Sequence, residues 1–282
     1  MAIVDKINEF LSSNEGIKND HLKYEISKLA EWSFQRQFMT EQEDDKPYSL
    51  RLSSAGKCPR QLAYGYHGFE KKGKEMDGRG RIIFFQGDMV ELMTMALAKI
   101  AGCKIMATGF NQLSVELPIT LGEPEEVIYI KGHPDGILID DETYLVECKS
   151  MSSYSYDSFE KGDIDDTYLA QINLYMLALN LRKCVVVAIN KNNGVMNERI
   201  INYDDKIARE TKDNLVKVIV STPEELPKSR YEPNDKGFYP WNCLYCSWWG
   251  LCHPAAERVL VGSSYKLKEK QQPKLLKKEV VK

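Results

Sequence analysis

Two carboxylates and one lysine stand close together near the middle of this sequence. Asp135 precedes Glu147 and Lys149, with many β-forming residues between them. The residue types over 127–139 and 143–149 predict the two strands of an antiparallel hairpin. Glu147 and Lys149 share one face of their strand, because side chains two residues apart point the same way. Strand pairing brings Asp135 to the same end, so the pattern predicts that two carboxylates and an ammonium group converge.

Such a group of side chains is suited to binding a hard divalent cation. Mg²⁺ is usually held by a few carboxylates, by retained waters and by phosphate oxygens of a substrate. The carbonyl oxygen of Cys148 is a further candidate ligand, and Lys149 could orient an attacking water or stabilise charge that develops on phosphorus. The alternative is a surface hairpin whose charged side chains face water, since Leu145, Val146 and Ile137 are apolar neighbours.

Polar residues within otherwise apolar predicted helices favour the chemical interpretation. Gln171 and Tyr175 are four residues apart on a helix predicted over 166–181, so they lie on one face. Their amide and hydroxyl groups are suited to contact a phosphate or a water on a metal ion. Glu91 lies in a long, mostly apolar helix predicted over 82–100, where an unpaired charge would be costly. We therefore interpret these residues as parts of one site.

Taken in order, these motifs resemble the RecB-type nucleases of the PD-(D/E)XK superfamily, over roughly residues 82–220. The residues that carry the resemblance are Gly87 to Glu91, Gly132 to Gly136, Glu147 to Lys149, and Gln171 with Tyr175. The ordered combination is more specific than any single motif. Many relatives, including CRISPR-associated adaptation nucleases, have a histidine at the first motif. This chain has Glu91 there, which can also bind a metal ion.

The resemblance implies an α/β fold of the restriction-endonuclease-like type, with a mixed β-sheet flanked by helices. It also implies cleavage of DNA phosphodiesters that depends on Mg²⁺ or Mn²⁺. Asp135 and Glu147 would hold the metal ion, and Lys149 would act on the attacking water. Gln171 and Tyr175 would support the active site or the substrate.

Four of the seven cysteines form a second candidate site. Cys243, Cys246 and Cys252 have the spacing C-x2-C-x5-C, and two intervening residues let both sulfurs of a CxxC turn toward one ion. Cys58 or the neighbouring His253 could supply a fourth ligand, and zinc is the usual metal of such clusters. One early cysteine followed by three late ones resembles the iron–sulfur branch of the RecB-like family, which also includes AddB-type nuclease domains. That resemblance implies a [4Fe–4S] cluster on the four cysteines, with a structural role and with Zn²⁺ as the alternative.

The predicted contacts with DNA lie next to Cys58. Arg60 could contact a phosphate, and Tyr64 could stack on an unpaired base. The alternative for the tyrosine is packing of its helix against the cysteine site. Lys and Arg total 38 against 41 Asp and Glu, a formal charge of -3, which argues against a broad duplex-binding face. A confined channel that takes single-stranded ends is the preferred interpretation.

Length and composition predict a folded, intracellular protein. Of the 282 residues 43% are hydrophobic, which is enough for a sizeable core. The sequence contains no apolar run of the ~18 residues that span a bilayer, and its start lacks the pattern of a signal peptide. We therefore expect a soluble, cytoplasmic protein without a membrane partner. The predicted divisions are an N-terminal helical arm (1–50), the first cluster ligand with a basic loop (51–81), a nuclease core (82–220), an iron–sulfur segment (221–260) and a basic tail (261–282).

The leading functional hypothesis is a metal-dependent deoxyribonuclease, most plausibly an exonuclease. It would act in recombination, repair, phage replication or CRISPR spacer acquisition, alone, as a homo-oligomer through the N-terminal arm, or in a larger complex. One alternative is a non-catalytic iron–sulfur subunit that binds DNA or assembles a complex while keeping the nuclease fold. Another is a zinc-stabilised interaction domain. The intact set of Asp135, Glu147 and Lys149 argues against the non-catalytic subunit, and a brown protein with iron–sulfur absorption would exclude the zinc-stabilised domain.

Overall fold

A computed structural model describes residues 3–39, 49–73, 78–122 and 126–270 of the chain. The chain forms two compact units: the first is Met1–Lys57 with Met76–Val220, and the second is Cys58–Glu75 with Ser221–Lys282. Among the described residues, no helix combines the length and the apolar character needed to cross a membrane.

The regular elements have the following bounds. The helices are α1 (Ile3–Ser12), α2 (Asp20–Phe38), α3 (Pro59–Tyr66), α4 (Gly78–Ile100), α5 (Ser153–Glu160), α6 (Asp166–Leu179), α7 (Asp205–Ile219), α8 (Trp241–Leu244) and α9 (Trp249–Cys252). The strands are β1 (Ile105–Met106), β2 (Val115–Leu121), β3 (Glu126–Gly132), β4 (Gly136–Ile139), β5 (Thr143–Met151), β6 (Lys183–Asn190), β7 (Met196–Asn202), β8 (Ala256–Val261) and β9 (Ser264–Glu269).

A mixed five-stranded sheet is the centre of the first unit. Its strand order is β1-β4-β5-β6-β7, and β5 and β6 are parallel while the other neighbours are antiparallel. Parallel neighbours require a crossover connection, and α5 and α6 provide it. Strands β2 and β3 pair in a separate two-stranded sheet. The predicted fold class, a mixed sheet flanked by helices, is confirmed.

Helices pack on both faces of this sheet, because β5 and β6 are apolar on both sides. Tyr144, Val146 and Cys148 of β5 join a buried cluster with Ile7 of α1 and Met95 of α4. The intervening residues of β5 point to the other face, against which α6 packs. Helix α1 is further held by the backbone N–H of Val4, which donates to a carboxylate on β7.

The predicted first hairpin strand, 127–139, was wrong as one continuous strand. Residues 126–132 form β3 and pair with β2, whereas residues 136–139 form β4 and pair with β5. The break falls at His133, Pro134 and Asp135. Proline has no backbone N–H to donate to a neighbouring strand, so it interrupts a ladder. The break leaves Asp135 at the point where the chain passes from one sheet to the other.

Other predicted boundaries also moved. Helix α4 begins at Gly78, so Arg79 and Arg81 belong to a helix rather than to the predicted basic loop. Residues 264–269 of the predicted basic tail form β9, which pairs with β8 across a turn at Gly262. The lysines there alternate with Tyr265 and Leu267, a strand pattern that the excess of positive charge obscured. The predicted linker at 41–47 and the rest of the tail, 271–282, lie outside the described residues.

The second unit contains α3, α8, α9 and the β8–β9 hairpin. Its core is a small apolar cluster that includes Cys243, Leu244, Ala256 and Leu267, with Trp249 packed against it. The indole N–H of Trp248 donates to the carbonyl oxygen of Phe69 at 3.0 Å. Short helices and a hairpin therefore surround the segment that contains the late cysteines.

Replacing Gly132 by alanine is expected to destabilise the first unit. A Cβ atom there would lie 2.6 Å from Cε1 of Tyr175 and 2.8 Å from Cβ of Leu52. Both neighbours are fully buried, so neither can move aside freely, and overpacking of this kind costs about 1–3 kcal/mol. Urea unfolding of Gly132→Ala should show a lower midpoint. The control is Gly87→Ala in α4, where a Cβ meets nothing within 4 Å and alanine should add about 1 kcal/mol of stability. Equal midpoints for the two variants would contradict this packing.

Candidate active site

Strand β5 brings a carboxylate and an ammonium group together inside the first unit. The Nζ atom of Lys149 donates to Oε1 of Glu147 at 2.5 Å, and the two side chains are 16% and 2% exposed. The contact follows from strand geometry, since residues two apart lie on the same face. Burial by itself lowers the pKa of Lys149, but the charges of Glu147 and Asp135 outweigh that effect and raise it above its usual value. Lys149 is therefore a cation at neutral pH.

Asp135 reaches the same place from the break between β3 and β4. Its Oδ2 atom accepts a hydrogen bond from the backbone N–H of Cys148 at 2.7 Å. Burial raises the pKa of Asp135 well above its usual value, and the charges of Glu147 and Glu91 raise it further. The Cys148 N–H and Lys149 act in the opposite direction. Asp135 thus lies close enough to both glutamates for the three carboxylates to repel one another.

Glu91 approaches this group from helix α4. Its Oε1 atom accepts a hydrogen bond from the Gln112 amide at 3.0 Å. Burial, then the charge of Glu147 and then that of Asp88 raise the pKa of Glu91 to about 7. The sequence prediction placed Glu91 at a metal site next to Asp135 and Glu147, and the structure brings these three carboxylates together.

Helix α6 packs on the same face of the sheet as Glu147, and two of its side chains position the site. The amide Nε2 of Gln171 donates to Oε1 of Glu147 at 2.6 Å, and Gln171 is buried. The hydroxyl of Tyr175 donates to the carbonyl oxygen of His133 at 3.1 Å, and this side chain is fully buried. Gln171 therefore fixes the catalytic candidate Glu147, whereas Tyr175 fixes the backbone just before Asp135.

The remaining acceptor of the site is a buried carboxylate oxygen. Oε2 of Glu147 finds no hydrogen-bond partner among the described residues, and such an atom is costly unless a cation or water satisfies it. No group of three or more His, Cys, Asp or Glu side chains in the described ranges is already arranged to hold a metal ion. Mg²⁺ binds to carboxylate oxygens and keeps several waters, so the open oxygen and the mutually repelling acids fit a hydrated divalent cation.

Two neighbours of the site, Gln112 and Tyr168, were not predicted. Gln112 follows the 3-10 turn Gly109–Asn111, and no pattern in the surrounding sequence indicates a functional role for it. The Tyr168 ring lies 4.8 Å from Nζ of Lys149, and its spacing of three residues from Gln171 on α6 could have indicated it. The Cys148 thiol lies in the apolar cluster and hydrogen-bonds Thr94. The backbone N–H of Cys148 donates to Asp135. The role of its carbonyl oxygen as a metal ligand stays a prediction.

The four predicted cluster cysteines line one cavity in the second unit, together with His253 and Trp249. Backbone N–H groups donate to two of the sulfurs, from Arg230 to Cys58 at 3.3 Å and from Trp248 to Cys246 at 3.4 Å. Burial and then the charges of Cys252, Cys58 and Cys246 raise the pKa of Cys243 to about 12.

Thiolates are ligands that zinc and iron–sulfur clusters use, but the four cysteines are not already arranged around one ion in the part of the chain that the structure describes. Because the pKa values of Cys243 and Cys252 are raised, metal binding would have to displace their protons. The Trp249 indole N–H is buried and has no partner within the described residues. Hydrogen bonds to sulfur are a normal feature of iron–sulfur sites.

Of the two predicted contacts with DNA, the structure argues against the stacking of Tyr64 on a base and leaves the contact of Arg60 with a phosphate as a prediction. Tyr64 is only 6% exposed, and its ring stacks on Trp248 and meets Phe69 edge-on. It therefore packs within its own unit and has no free face for a base. The Nε atom of Arg60 donates to the carbonyl oxygen of Pro227 at 2.7 Å, and the side chain also hydrogen-bonds Cys252. Its predicted contact with a phosphate stays a prediction.

Comparisons with known proteins give only distant likenesses. The chain matches no family model and no curated protein. The solved structure described as "Crystal structure of SSO0001" is 19% identical, with 78% of this chain and 92% of that chain covered and a TM-score of 0.48. LHK-Exo, an alkaline exonuclease from Laribacter hongkongensis, is 15% identical with 66% and 84% covered and a TM-score of 0.39. Its complex with dAMP is 14% identical with 67% and 90% covered and a TM-score of 0.41. At these TM-scores, below 0.5, the likenesses say nothing about function.

The acid cluster predicts an unusual dependence of stability on pH in metal-free protein. The pKa of Glu91, about 7 in the fold, lies above its ordinary value of 4.5, so the folded protein keeps a proton that the unfolded chain releases. Stability from this group is therefore complete below pH 4.5 and declines by up to about 3 kcal/mol as the pH rises through 7. Glu91→Gln should flatten this decline in urea unfolding measured in EDTA. Exposed Glu9→Gln serves as the control, and an unchanged slope in Glu91→Gln would refute the assignment.

Proposed function

We propose that this protein is a deoxyribonuclease that hydrolyses DNA phosphodiester bonds with the help of Mg²⁺ or Mn²⁺. The observation that carries the proposal is the buried Glu147–Lys149 pair with Asp135 and Glu91 beside it. Maintaining an ion pair inside a protein is costly, and a pair with an unsatisfied carboxylate oxygen is not explained by stability. A divalent cation on the acids and a phosphate near Lys149 would use every member of the group.

Each side chain would have a distinct role. Asp135, Glu147 and Glu91 would hold the cation, which when bound supplies positive charge that polarises the scissile phosphate. Lys149 stays protonated, so it cannot remove a proton from water. It can donate hydrogen bonds to a water or to a phosphate oxygen and stabilise the negative charge that grows in the transition state. Gln171 keeps the Glu147 carboxylate in place during this step.

The preferred substrate is a single-stranded end, and the preferred mode is exonucleolytic. The chain carries a formal charge of -3, so it lacks the basic excess that a broad duplex-binding surface uses. The biological setting stays a prediction: recombination, repair, phage replication or CRISPR spacer acquisition. The same holds for a cytoplasmic location and for assembly into a homo-oligomer or a larger complex.

We further propose that Cys58, Cys243, Cys246 and Cys252 bind a [4Fe–4S] cluster. The support is that the four thiols line one cavity and that backbone N–H groups already donate to two of the sulfurs. A ligand set of thiolates alone is the usual one for such a cluster, whereas a set that included His253 would favour zinc. Because Cys58 is far in sequence from the other three, the cluster would close a long chain loop and stabilise the fold.

Loss of the charge of Asp135 or of Lys149 is expected to abolish cleavage. Asp135→Asn and Lys149→Met should each lower the rate by at least about 10²-fold, the cost of removing one group that stabilises transition-state charge, while DNA binding in EDTA is retained. The assay is digestion of end-labelled single- and double-stranded DNA with Mg²⁺, Mn²⁺ or EDTA. Matched controls are Asp213→Asn and Lys104→Met, which change exposed side chains. Cleavage by Asp135→Asn or Lys149→Met at the parent rate would refute the catalytic assignment.

Anaerobically purified protein is expected to contain about four iron atoms per chain. Alanine at Cys58 or Cys246 should release the iron and lower the melting temperature, because the cluster ties distant segments together. Cys103→Ala, at a buried cysteine of the first unit, should leave the iron content unchanged. Metal analysis that finds zinc at the same cysteines would select the alternative metal, and full iron content in Cys58→Ala would contradict the ligand assignment.

A further inference from the structure

A cavity of about 440 Å³ in the first unit adjoins the acidic side chains of the candidate active site. Helix α2 forms one wall, α4 forms another, and the 3-10 turn Gly109–Asn111 closes a side. Glu91 and His133 also line it, so the cavity is continuous with the catalytic candidates. Its volume lies within the ~300–1,000 Å³ of pockets that hold small ligands. We propose that it binds the unpaired terminal nucleotide of a DNA strand, with the base against Trp32 and Phe110; this rests on the proposed nuclease function.

Two aromatic side chains on the cavity wall carry the proposal. The rings of Trp32 and Phe110 meet edge to face with centroids 6.0 Å apart. They are 46% and 55% exposed, which is high for large aromatic residues that lie against other elements. Aromatic faces of this kind are the usual platforms for unpaired bases. The pair therefore offers a base a preformed place beside the scissile phosphate.

The surrounding residues hold the platform in a fixed orientation. The guanidinium of Arg36 lies 4.5 Å above the Trp32 ring and is itself paired with Asp88 at 2.5 Å. On the other wall, Gly109 has a φ of +59° and approaches the side chain of Leu29 on α2. Glycine tolerates this conformation readily, and it seats the Phe110 turn against the helix. The ring positions are thus set before any ligand binds.

The charges of the cavity favour a base over a phosphate. Asp88 is paired with Arg36, and Glu25 lies 3.6 Å from Lys99, so these opposite charges compensate each other. Glu91, nearest the catalytic candidates, offers no positive charge. A phosphate therefore finds no uncompensated cation among the lining residues at this end and is better placed toward Lys149. The Ser33 hydroxyl, which lines the cavity, already donates to Asp88, whereas the hydroxyl of Thr108 also lines it and can hydrogen-bond the edge of a base.

The test measures DNA binding without cleavage, on the full chain in EDTA. Fluorescence anisotropy compares a short single-stranded oligonucleotide with matched probes that lack the base of the 5′-terminal or the 3′-terminal nucleotide. The parent should bind the intact probe about tenfold more tightly than one of the abasic probes, the loss expected for one stacked base. Trp32→Leu should weaken binding of the intact probe about tenfold and leave that abasic probe unaffected. Trp32→Phe, which keeps a ring, should retain most of the binding.

Phe84→Leu provides the matched control, because Phe84 is an exposed aromatic residue, 57% exposed, that does not line the cavity. Equal melting temperatures of the two leucine variants would exclude misfolding as the cause. The inference is overturned if Trp32→Leu binds every probe like the parent, or weakens all probes equally. Failure of the nuclease proposal has a different signature: no cleavage with Mg²⁺ or Mn²⁺ while the preference for a terminal base persists.

Discussion

The buried contact between Lys149 and Glu147 is the constraint on which the rest of the first unit depends. Two charges removed from water must be compensated on every side. Lys149 satisfies one carboxylate oxygen of Glu147, and Gln171 donates to that same oxygen. The second oxygen is left open, and Asp135 and Glu91 raise the negative charge around it. This cost is the ground for our proposal that a cation and a phosphate complete the site.

The fold supplies this site by interrupting its own regularity. Pro134 ends the pairing of β3, and the chain leaves one sheet and enters the other. Asp135 sits at that transition, where its carboxylate can reach the backbone N–H of Cys148. The Tyr175 hydroxyl holds the neighbouring carbonyl of His133, so α6 fixes both the break and the acid on β5. The regular strand β5 holds Glu147 and Lys149 in place, and the break between β3 and β4 lets the second carboxylate, Asp135, approach them.

Local patterns predicted most of the secondary structure. The helix expected over 166–181 is α6, which ends two residues earlier, and the strand expected over 143–149 is β5, which ends two residues later. Both follow from periodicities that are set within a few residues of chain. The predictions that failed depended on partners elsewhere. Pro134 divides a run of β-forming residues between two sheets. Lys266 and Lys268 were interpreted as part of a basic tail, although they alternate with Tyr265 and Leu267 in β9.

The order and types of the chemical groups were determined by the sequence alone. Strand alternation put Glu147 and Lys149 on one face, and helix periodicity aligned Gln171 with Tyr175, because both relations are local. Only the tertiary structure decided which distant residues meet them. It brought Glu91 of α4 to the carboxylates. It also buried the tyrosine expected to stack on DNA, and it built an aromatic cavity from α2 instead. Such contacts join segments tens of residues apart, and no short-range pattern in a single sequence encodes their packing.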